Sequence, residues 1–354
     1  MLGRQPAFTV SGKPGLSKIA APLIALDFQA NQTIPAGWTF TRASVATDTL
    51  ASDPAARAIT DFAINAPRFR PEGLLLGLLR SNFLPNSANP GAVQVNSIGN
   101  LGQRAYMCWM LGTGSVTLAN NTATSTDLPL TVTQGTPRVF TTQTSTGNIK
   151  ATPSGQVLCW QMEQADAATF PAAPSSLIKT VAALVSRSPD ALMYNSASWL
   201  NATAGTYVVE LVPLNLNLSC VVCAAFLTAN AAGDREQIFT NFTPSFGTMS
   251  ANSITQAGVN NLGRIDASLV MSPGSVYRVG YTAGPNRRLI SMNGSDPVTG
   301  GLLGPRSSAF DLFALMATNV QGQVQPGFLR KFYYWPNELS RPHLQSVTQL
   351  AWSP

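Results

Sequence analysis

Few residues of this 354-residue chain could carry out covalent chemistry. His343 is the only histidine, and no Gly-x-Ser-x-Gly segment supplies a nucleophile for it to activate. The four cysteines include one Cys-x-x-Cys pair, Cys220 and Cys223, but no second pair completes a zinc site. Since this pair follows a strand-like pattern in a long chain poor in cysteine, we predict buried, inert thiols, no metal site and no cofactor.

The carboxylates leave one catalytic alternative open. Glycosidases need two carboxyl groups a few ångströms apart, one of them with a raised pKa. The chain has only 16 acidic residues, and those in or near predicted strands are Glu163, Glu210, Asp234, Glu236, Asp266 and Asp296. We predict that the protein is not an enzyme, with a polysaccharide-degrading enzyme as the alternative.

A different set of residues is suited to hold a sugar without altering it. Sugar rings stack on aromatic faces, and their hydroxyl groups bond to amides, carboxylates and guanidinium groups. Trp109 and Trp160 lie in apolar runs that are typical of a core, whereas Trp199 is flanked by polar residues. Four polar residues flank one predicted hairpin. The predicted glycan-binding residues are therefore Trp199, Arg287, Arg288, Asn293 and Asp296.

The elements that position these residues are predicted to be short strands. Alternating apolar and polar residues indicate half-buried strands at Ser115–Leu118, Leu214–Leu218 and Tyr277–Tyr281. Leu289–Met292 runs into Asn293-Gly294, a pair typical of a tight hairpin turn. One helix is predicted near the C-terminus, with Ser340 as its N-cap and with Leu344, Val347 and Leu350 on one face.

Composition excludes several classes of protein. Hydrophobic residues make up 45% of the chain and charged residues only 11%, which is the opposite of a disordered chain. The net charge of +6 is spread thinly, so no basic patch predicts binding to nucleic acid. No apolar run reaches the roughly 18 residues of a membrane-spanning helix, so no membrane insertion is predicted.

The fold class predicted from these patterns is all-β, with two β-sandwich or jelly-roll domains in tandem, a short N-terminal arm and one C-terminal helix. Residues 1–22 are predicted to be an extended anchoring arm, disordered in the free protein, and residues 23–84 an anchoring or connecting segment. The first sandwich is predicted at 85–180 and the second, with the helix, at 190–354.

Several stretches resemble proteins of tailed bacteriophages. Thr39-Phe-Thr-Arg-Ala-Ser44, Asn65-Ala-Pro-Arg-Phe69 and Gly73–Leu84 are similar to a segment of tail and fibre proteins that reads TFTRAS, NxPRF and GLLIExxRTNLL. Trp160–Glu163, Phe170–Pro174 and Ser186-Arg187 resemble the segment that follows it and closes a carbohydrate-binding-module-like jelly roll. Gly327–Arg330, Tyr334–Pro336 and Leu339-Ser340 resemble the end of a concanavalin A-like (laminin-G-like) sandwich.

Two positions depart from this family pattern. Gly77 stands where the family carries an acidic residue, so an ion pair from that acid to Arg80 is not implied. Glu338 stands where the family carries an arginine, so a basic surface at that corner is not implied either.

The resemblance implies a virion structural protein, a fibre or spike component that binds a host surface glycan or receptor. Its expected partners are capsid or tail proteins of the same particle and the host polysaccharide, its expected location is the virion surface, and its expected state is a homo-oligomer, a trimer. The alternative is a purely structural capsid decoration or spike-base protein.

Overall fold

The computed structural model describes residues 19–51, 59–77, 79–91, 94–98, 105–142, 147–165, 174–195, 198–214, 216, 220–226, 235–243, 246–255, 260–300, 310–316 and 325–354. Its first strands are β1 Ile24–Asp27, β2 Trp38–Thr41, β3 Ala46–Thr47, β4 Asp61–Phe62, β5 Arg68–Arg70, β6 Gly73–Leu76, β7 Arg80–Asn82, β8 Gln94–Ile98, β9 Ala105–Leu111, β10 Ser115–Asn120, β11 Leu130–Thr133, β12 Arg138–Thr141, β13 Gly147–Ser154, β14 Cys159–Ala165 and β15 Val185–Arg187. They are followed by β16 Ala191–Asn195, β17 Gly205–Pro213, β18 Val221–Phe226, β19 Arg235–Thr243, β20 Phe246–Thr255, β21 Asn260–Val270, β22 Tyr277–Ala283, β23 Arg288–Met292, β24 Val298–Thr299, β25 Leu312–Leu315, β26 Gly327–Trp335 and the helix α1 Arg341–Val347.

The chain divides into two compact units. Unit 1 consists of Met1–Phe40, Phe69–Leu76 and Ala191–Pro354, and unit 2 of Thr41–Arg68 and Gly77–Asp190. The predicted sandwich 85–180 lies within unit 2, but the predicted connecting segment 23–84 is not a separate element. Its strands β1 and β6 pair with β26 of unit 1, whereas residues 41–68 belong to unit 2.

Unit 1 is a sandwich of two mainly antiparallel sheets in the part of the chain that the structure describes. One sheet has the order β24-β23-β22-β17-β26-β6-β5, with β1 also paired to β26, and the other has the order β2-β16-β25-β18-β19-β20-β21. Apolar side chains from both sheets form one core, whose aromatic centre includes Trp38, Tyr207, Phe313 and Phe332. Burial of these large rings contributes to the driving force for closing the sandwich.

Helix α1 covers the outer face of the first of these sheets. Leu344 and Val347 are buried against Val208 and Trp335, which explains why β17 is buried on both faces instead of alternating. The helix begins after Ser340, but no side-chain hydrogen bond caps it, and Pro342 lies in its first turn. Leu350, predicted to share the buried face, lies beyond the helix end and is 45% exposed.

Unit 2 has its own core between smaller sheets. Its described strands form the orders β11-β10-β13-β8, β12-β9-β14, β15-β7 and β3-β4. In β10 the side chains alternate as the sequence predicts, with Val116 and Leu118 buried. Trp160 and Tyr106 are fully buried in this core, and Trp109 is fully buried in a smaller cluster, so the prediction of core positions for Trp109 and Trp160 is confirmed.

Two other predictions about elements have different outcomes. A strand at Leu214–Leu218 was expected, but β17 ends at Pro213, and the described residues Leu214 and Leu216 lie outside strands. Most of the predicted arm lies outside the described residues. Its last part joins the fold, because Ile19 is buried and the carbonyl oxygen of Ala20 accepts a hydrogen bond from Trp335 Nε1 at 2.7 Å.

Candidate functional site

The five predicted glycan-binding residues do not form one surface. Arg287 and Arg288 lie where β22 turns into β23, and Asn293 and Asp296 lie after the other end of β23. A strand rises about 3.4 Å per residue, so these two pairs are separated by roughly 14 Å. The structure therefore offers two different turns where the sequence pattern indicated one hairpin.

The turn at Asn293-Gly294 forms as predicted. Asn293 and Gly294 have φ angles of 51° and 76°, and Ser295 N–H donates to the Met292 carbonyl oxygen at 3.0 Å. Asn293 Oδ1 accepts the Arg278 N–H at 2.8 Å, so this oxygen serves the turn itself. The pairing with β24 resumes at Val298.

Asp296 and Arg287 are the exposed members of the set. The Asp296 carboxylate receives two hydrogen bonds from the Arg341 guanidinium, at 3.0 and 2.9 Å, and these bonds lower the pKa of Asp296. Arg287 Nη1 lies 3.9 Å from Glu338 Oε2. Both charges are exposed and could meet a ligand, although each already has a partner.

Trp199 and Arg288 are less accessible than the sequence suggests. Trp199 is half-buried, and its ring packs edge-on against Tyr194, Phe313 and Tyr334 at centroid distances of 5.8, 5.2 and 4.9 Å. Arg288 is only 1% exposed. Polar neighbours in the sequence made both residues resemble surface residues, whereas the fold places them at the core. A glycan-binding role for the five residues remains a prediction.

A cleft that sequence reasoning missed lies beside β1 of unit 1. It has a volume of about 240 Å³ and is lined by Ala25, Leu26, Asp27, Phe28, Asn31, Thr33 and Pro35. Pockets for drug-sized ligands measure roughly 300–1,000 Å³, so this cleft suits one small polar ring.

The chain turn after β1 fixes the carboxylate of this cleft. Asp27 Oδ1 accepts the N–H groups of Gln29 and Ala30, both at 3.0 Å, and the Asp27 carbonyl oxygen accepts the Asn31 N–H at 2.9 Å. Lys331 Nζ lies 3.3 Å from Asp27 Oδ2. The carboxylate is thus held in place while 31% of the side chain stays exposed.

The cleft combines the groups that recognise a sugar. Asp27 offers acceptors, Asn31 a donor and an acceptor, and Thr33 a hydroxyl, while Leu26 and Pro35 offer an apolar wall. Asn31 and Thr33 are exposed. The signal that could have found this site is the polar run after Asp27, which reads Gln29-Ala-Asn-Gln-Thr33.

The stretches that carry the phage resemblance build a buried polar cluster in unit 2. The Asp190 carboxylate receives hydrogen bonds from Arg42 Nη1 at 3.1 Å, from Arg68 Nη2 and from Gly77 N–H at 2.7 Å. Arg187 Nη1 donates to Ser176 Oγ, which also accepts from Arg68. Because these groups are buried and bond to one another inside the unit, they stabilise it and offer no open surface to a ligand.

The structure shows what surrounds the two positions that depart from the family pattern, Gly77 and Glu338. A Cβ atom at Gly77 would lie 2.4 Å from Arg187 Nη2, so the guanidinium group occupies the space beside Gly77. Burial, and next the charge of Arg68, lower the pKa of Arg187. Arg80 finds its acidic partner in Glu163, whose Oε2 lies 3.7 Å from Arg80 Nε. At the other departure, Glu338 accepts the Asn286 N–H at 3.0 Å.

Of the remaining catalytic candidates, Glu236 is fully buried, and Glu210 and Asp266 are engaged in structural contacts. Glu210 binds Arg278 and Arg330, and Asp266 accepts hydrogen bonds from Arg264 and Ser250. Asp234 lies outside the described residues. Burial raises the pKa of the Cys108 and Cys223 thiols, and all four cysteines are free and buried, which confirms the prediction of buried thiols.

The described ranges contain neither a metal-binding cluster nor a membrane-spanning helix. Those ranges hold no group of three or more His, Cys, Asp or Glu side chains that could bind a metal ion. Within the same ranges, no helix has the length and apolar character to cross a membrane.

No protein-family model matches the sequence, and no curated protein matches it either. Among solved structures, the chain is similar to the CBM40 of the Ruminococcus gnavus IT-sialidase bound to α2,3-sialyllactose, with 16% identity, a TM-score of 0.37 and coverage of 44% of this chain and 86% of that one. It is also similar to domain 4 of AbnA, a GH43 extracellular arabinanase from Geobacillus stearothermophilus, in complex with arabinotriose (10% identity, TM-score 0.36, coverage 46% and 73%). A third similar structure is the native heptameric SAP-like pentraxin of Limulus polyphemus (16% identity, TM-score 0.32, coverage 42% and 70%). These similarities are too distant to assign a function.

Proposed function

We propose that this protein is a bacteriophage virion structural protein, a fibre or spike component that attaches to the particle and binds a host surface glycan. The observation that carries the binding role is the cleft beside β1. It presents a carboxylate, an amide and a hydroxyl next to an apolar wall on the surface of a β-sandwich. The virion role is supported by the phage-like stretches of the sequence.

The cleft favours binding without turnover. Asp27 is the carboxylate among its lining residues, and both of its oxygens are engaged, by the turn and by Lys331. Hydrolysis of a glycosidic bond needs a second carboxyl group opposite the first. A sugar could therefore be held here through hydroxyl contacts, with weak affinity per site that several copies on one particle would multiply.

The test is binding of host surface polysaccharide by the purified full chain. We expect the double substitution Asn31→Ala with Thr33→Ala to weaken binding about tenfold, because two hydrogen-bonding groups are lost. Gln32→Ala is the matched control, since Gln32 lies between these residues, is exposed and does not line the cleft. Equal binding by the double variant and the wild type would rule out this cleft.

The same preparations distinguish the alternatives. A purely structural decoration or spike-base protein would bind no host polysaccharide yet would still be found on particles by labelling and electron microscopy. A polysaccharide-degrading enzyme would lower the viscosity of the polymer. Labelling that finds the protein absent from particles would contradict the virion role.

A further inference from the structure

Arg288 is a buried cation for which the described part of the chain supplies no acceptor. Its Nε, Nη1 and Nη2 atoms are all buried without a hydrogen-bond partner. The other fully buried arginines differ: Arg42 and Arg68 bind Asp190, Arg187 binds Ser176 and Arg278 binds Glu210. A guanidinium group has only donors, so what Arg288 lacks is an acceptor.

The strand pattern places the Arg288 side chain on the inner face of the sandwich. Side chains two residues apart in a strand share one face, so Arg288 shares its face of β23 with Ile290 and Met292. These two residues belong to the core between the sheets, whereas Ser291 bonds to Thr348 on the helix side. Arg288 pairs with Ala283, which has a short side chain. Arg288 is also the first residue of β23, directly after the exposed residues 285–287.

Five carboxylates among the described residues of unit 1 have other partners. Glu338 accepts from Asn286 and lies near Arg287, and Glu210 holds Arg278. The further ion pairs in this unit are Asp27 with Lys331, Asp266 with Arg264 and Asp296 with Arg341. None of these acids is available to neutralise Arg288.

A second buried hydrogen-bond donor in unit 1 also lacks an acceptor. The Trp199 Nε1 atom is buried and makes no hydrogen bond within the described residues, and an indole N–H is also a donor only. A buried donor without an acceptor is unfavourable, and a buried charge without one is more so. A ligand that carries hydrogen-bond acceptors would therefore stabilise either group.

We propose that Arg288 is an anion site that binds a carboxylate entering at the end of the sandwich where β22 turns into β23. The carboxylate could belong to a small organic acid or to an acidic sugar. In the second case the inference deepens the proposed glycan binding, but the anion site itself does not depend on the cleft beside β1.

The test is a thermal-unfolding titration of the full chain in anion-poor buffer with sodium acetate, sodium glucuronate and glucose. At concentrations well above the dissociation constant, both carboxylates should raise the melting temperature by several degrees, and glucose should not. Stabilisation by glucuronate alone would indicate an acidic sugar as the ligand, and equal stabilisation by acetate would indicate the carboxylate group itself.

Arg288→Met gives the sharper readout. Replacing an unpaired buried cation by an apolar chain should raise the melting temperature in anion-poor buffer and abolish the effect of both carboxylates. Arg264→Met is the matched control, because Arg264 is an exposed arginine of the same unit and should leave the carboxylate effect unchanged. A wild-type protein that neither carboxylate stabilises would overturn the proposal even if Arg288→Met failed to fold.

The two proposals fail separately. A result with the cleft variants Asn31→Ala and Thr33→Ala bears on neutral-glycan binding in the cleft and not on the anion site at Arg288.

Discussion

Asp190 is the residue on which the buried charges of unit 2 depend. Its carboxylate is fully buried and binds two fully buried guanidinium groups and one backbone N–H. Unit 2 consists of two chain segments, and these four residues lie at or next to the segment ends: Arg42, Arg68, Gly77 and Asp190. The carboxylate therefore links, through hydrogen bonds, the points at which the chain enters and leaves this unit.

Asp190→Ala should destabilise unit 2 by about 3–5 kcal/mol, because Arg42 and Arg68 would remain buried without a counter-charge. The measurement is urea-induced unfolding followed by circular dichroism. Asp61→Ala is the control, since the Asp61 ion pair with Lys179 is exposed and should contribute less than about 1 kcal/mol. Equal losses for the two variants would contradict this role of Asp190.

The thiols should be unreactive in the folded protein. The thiolate is the reactive form, and burial raises the pKa of Cys108 and Cys223, so raising the pH from 7 to 9 should not produce thiolate at these positions. Ellman's reagent should detect no thiol in native protein and four in denaturant. Rapid reaction of the native protein would show that these cysteines are accessible.

At the scale of elements, helix α1 stabilises unit 1 through few contacts. It is only seven residues long, so packing of Leu344 and Val347 on the sheet holds it in place. Residues beyond it add to the attachment: Arg278 Nη1 donates to the carbonyl oxygens of Gln349 and Trp352 at 2.6 and 2.7 Å.

Leu344→Ala should lower the free energy of unfolding by about 2–5 kcal/mol, because it removes a fully buried side chain. Leu350→Ala should change it by less than about 0.5 kcal/mol, since Leu350 is 45% exposed. Chemical denaturation of both variants measures the difference. A similar cost for both would place Leu350 on the buried face, as the sequence pattern suggested.

Local patterns predicted the elements better than the site. Alternation predicted the half-buried strand β10 correctly and located β22, but β22 is buried on both faces and not half-buried as predicted. The Asn293-Gly294 pair identified its turn, because this signal depends on neighbouring residues. The same alternation, counted back from Ile290, would have placed Arg288 inside the sandwich. The cleft was missed although all of its lining residues lie between Ala25 and Pro35, because a polar run alone does not show that the chain folds into a concave surface.

At the scale of the whole molecule, the sequence predicts a homotrimer. Low surface charge reduces repulsion between copies, and proteins that project from symmetric particles are commonly symmetric themselves. Light scattering coupled to size-exclusion chromatography at micromolar concentration should give three times the 37.4 kDa chain mass. A mass near that of one chain would count against a trimer in solution.

The order of the strands also constrains how the protein is made. Strands β1 and β6 bond to β26, which the ribosome delivers roughly 250 residues after β6, or about 10–50 s later at ordinary elongation rates. Unit 2 is complete at Asp190, long before that. Unit 2 could thus fold during synthesis, while β1 and the edge of β6 that does not face β5 still lack their partner strand β26. A nascent chain paused before β26 would expose two unpaired strand edges and should be the species most prone to aggregate and to recruit chaperones.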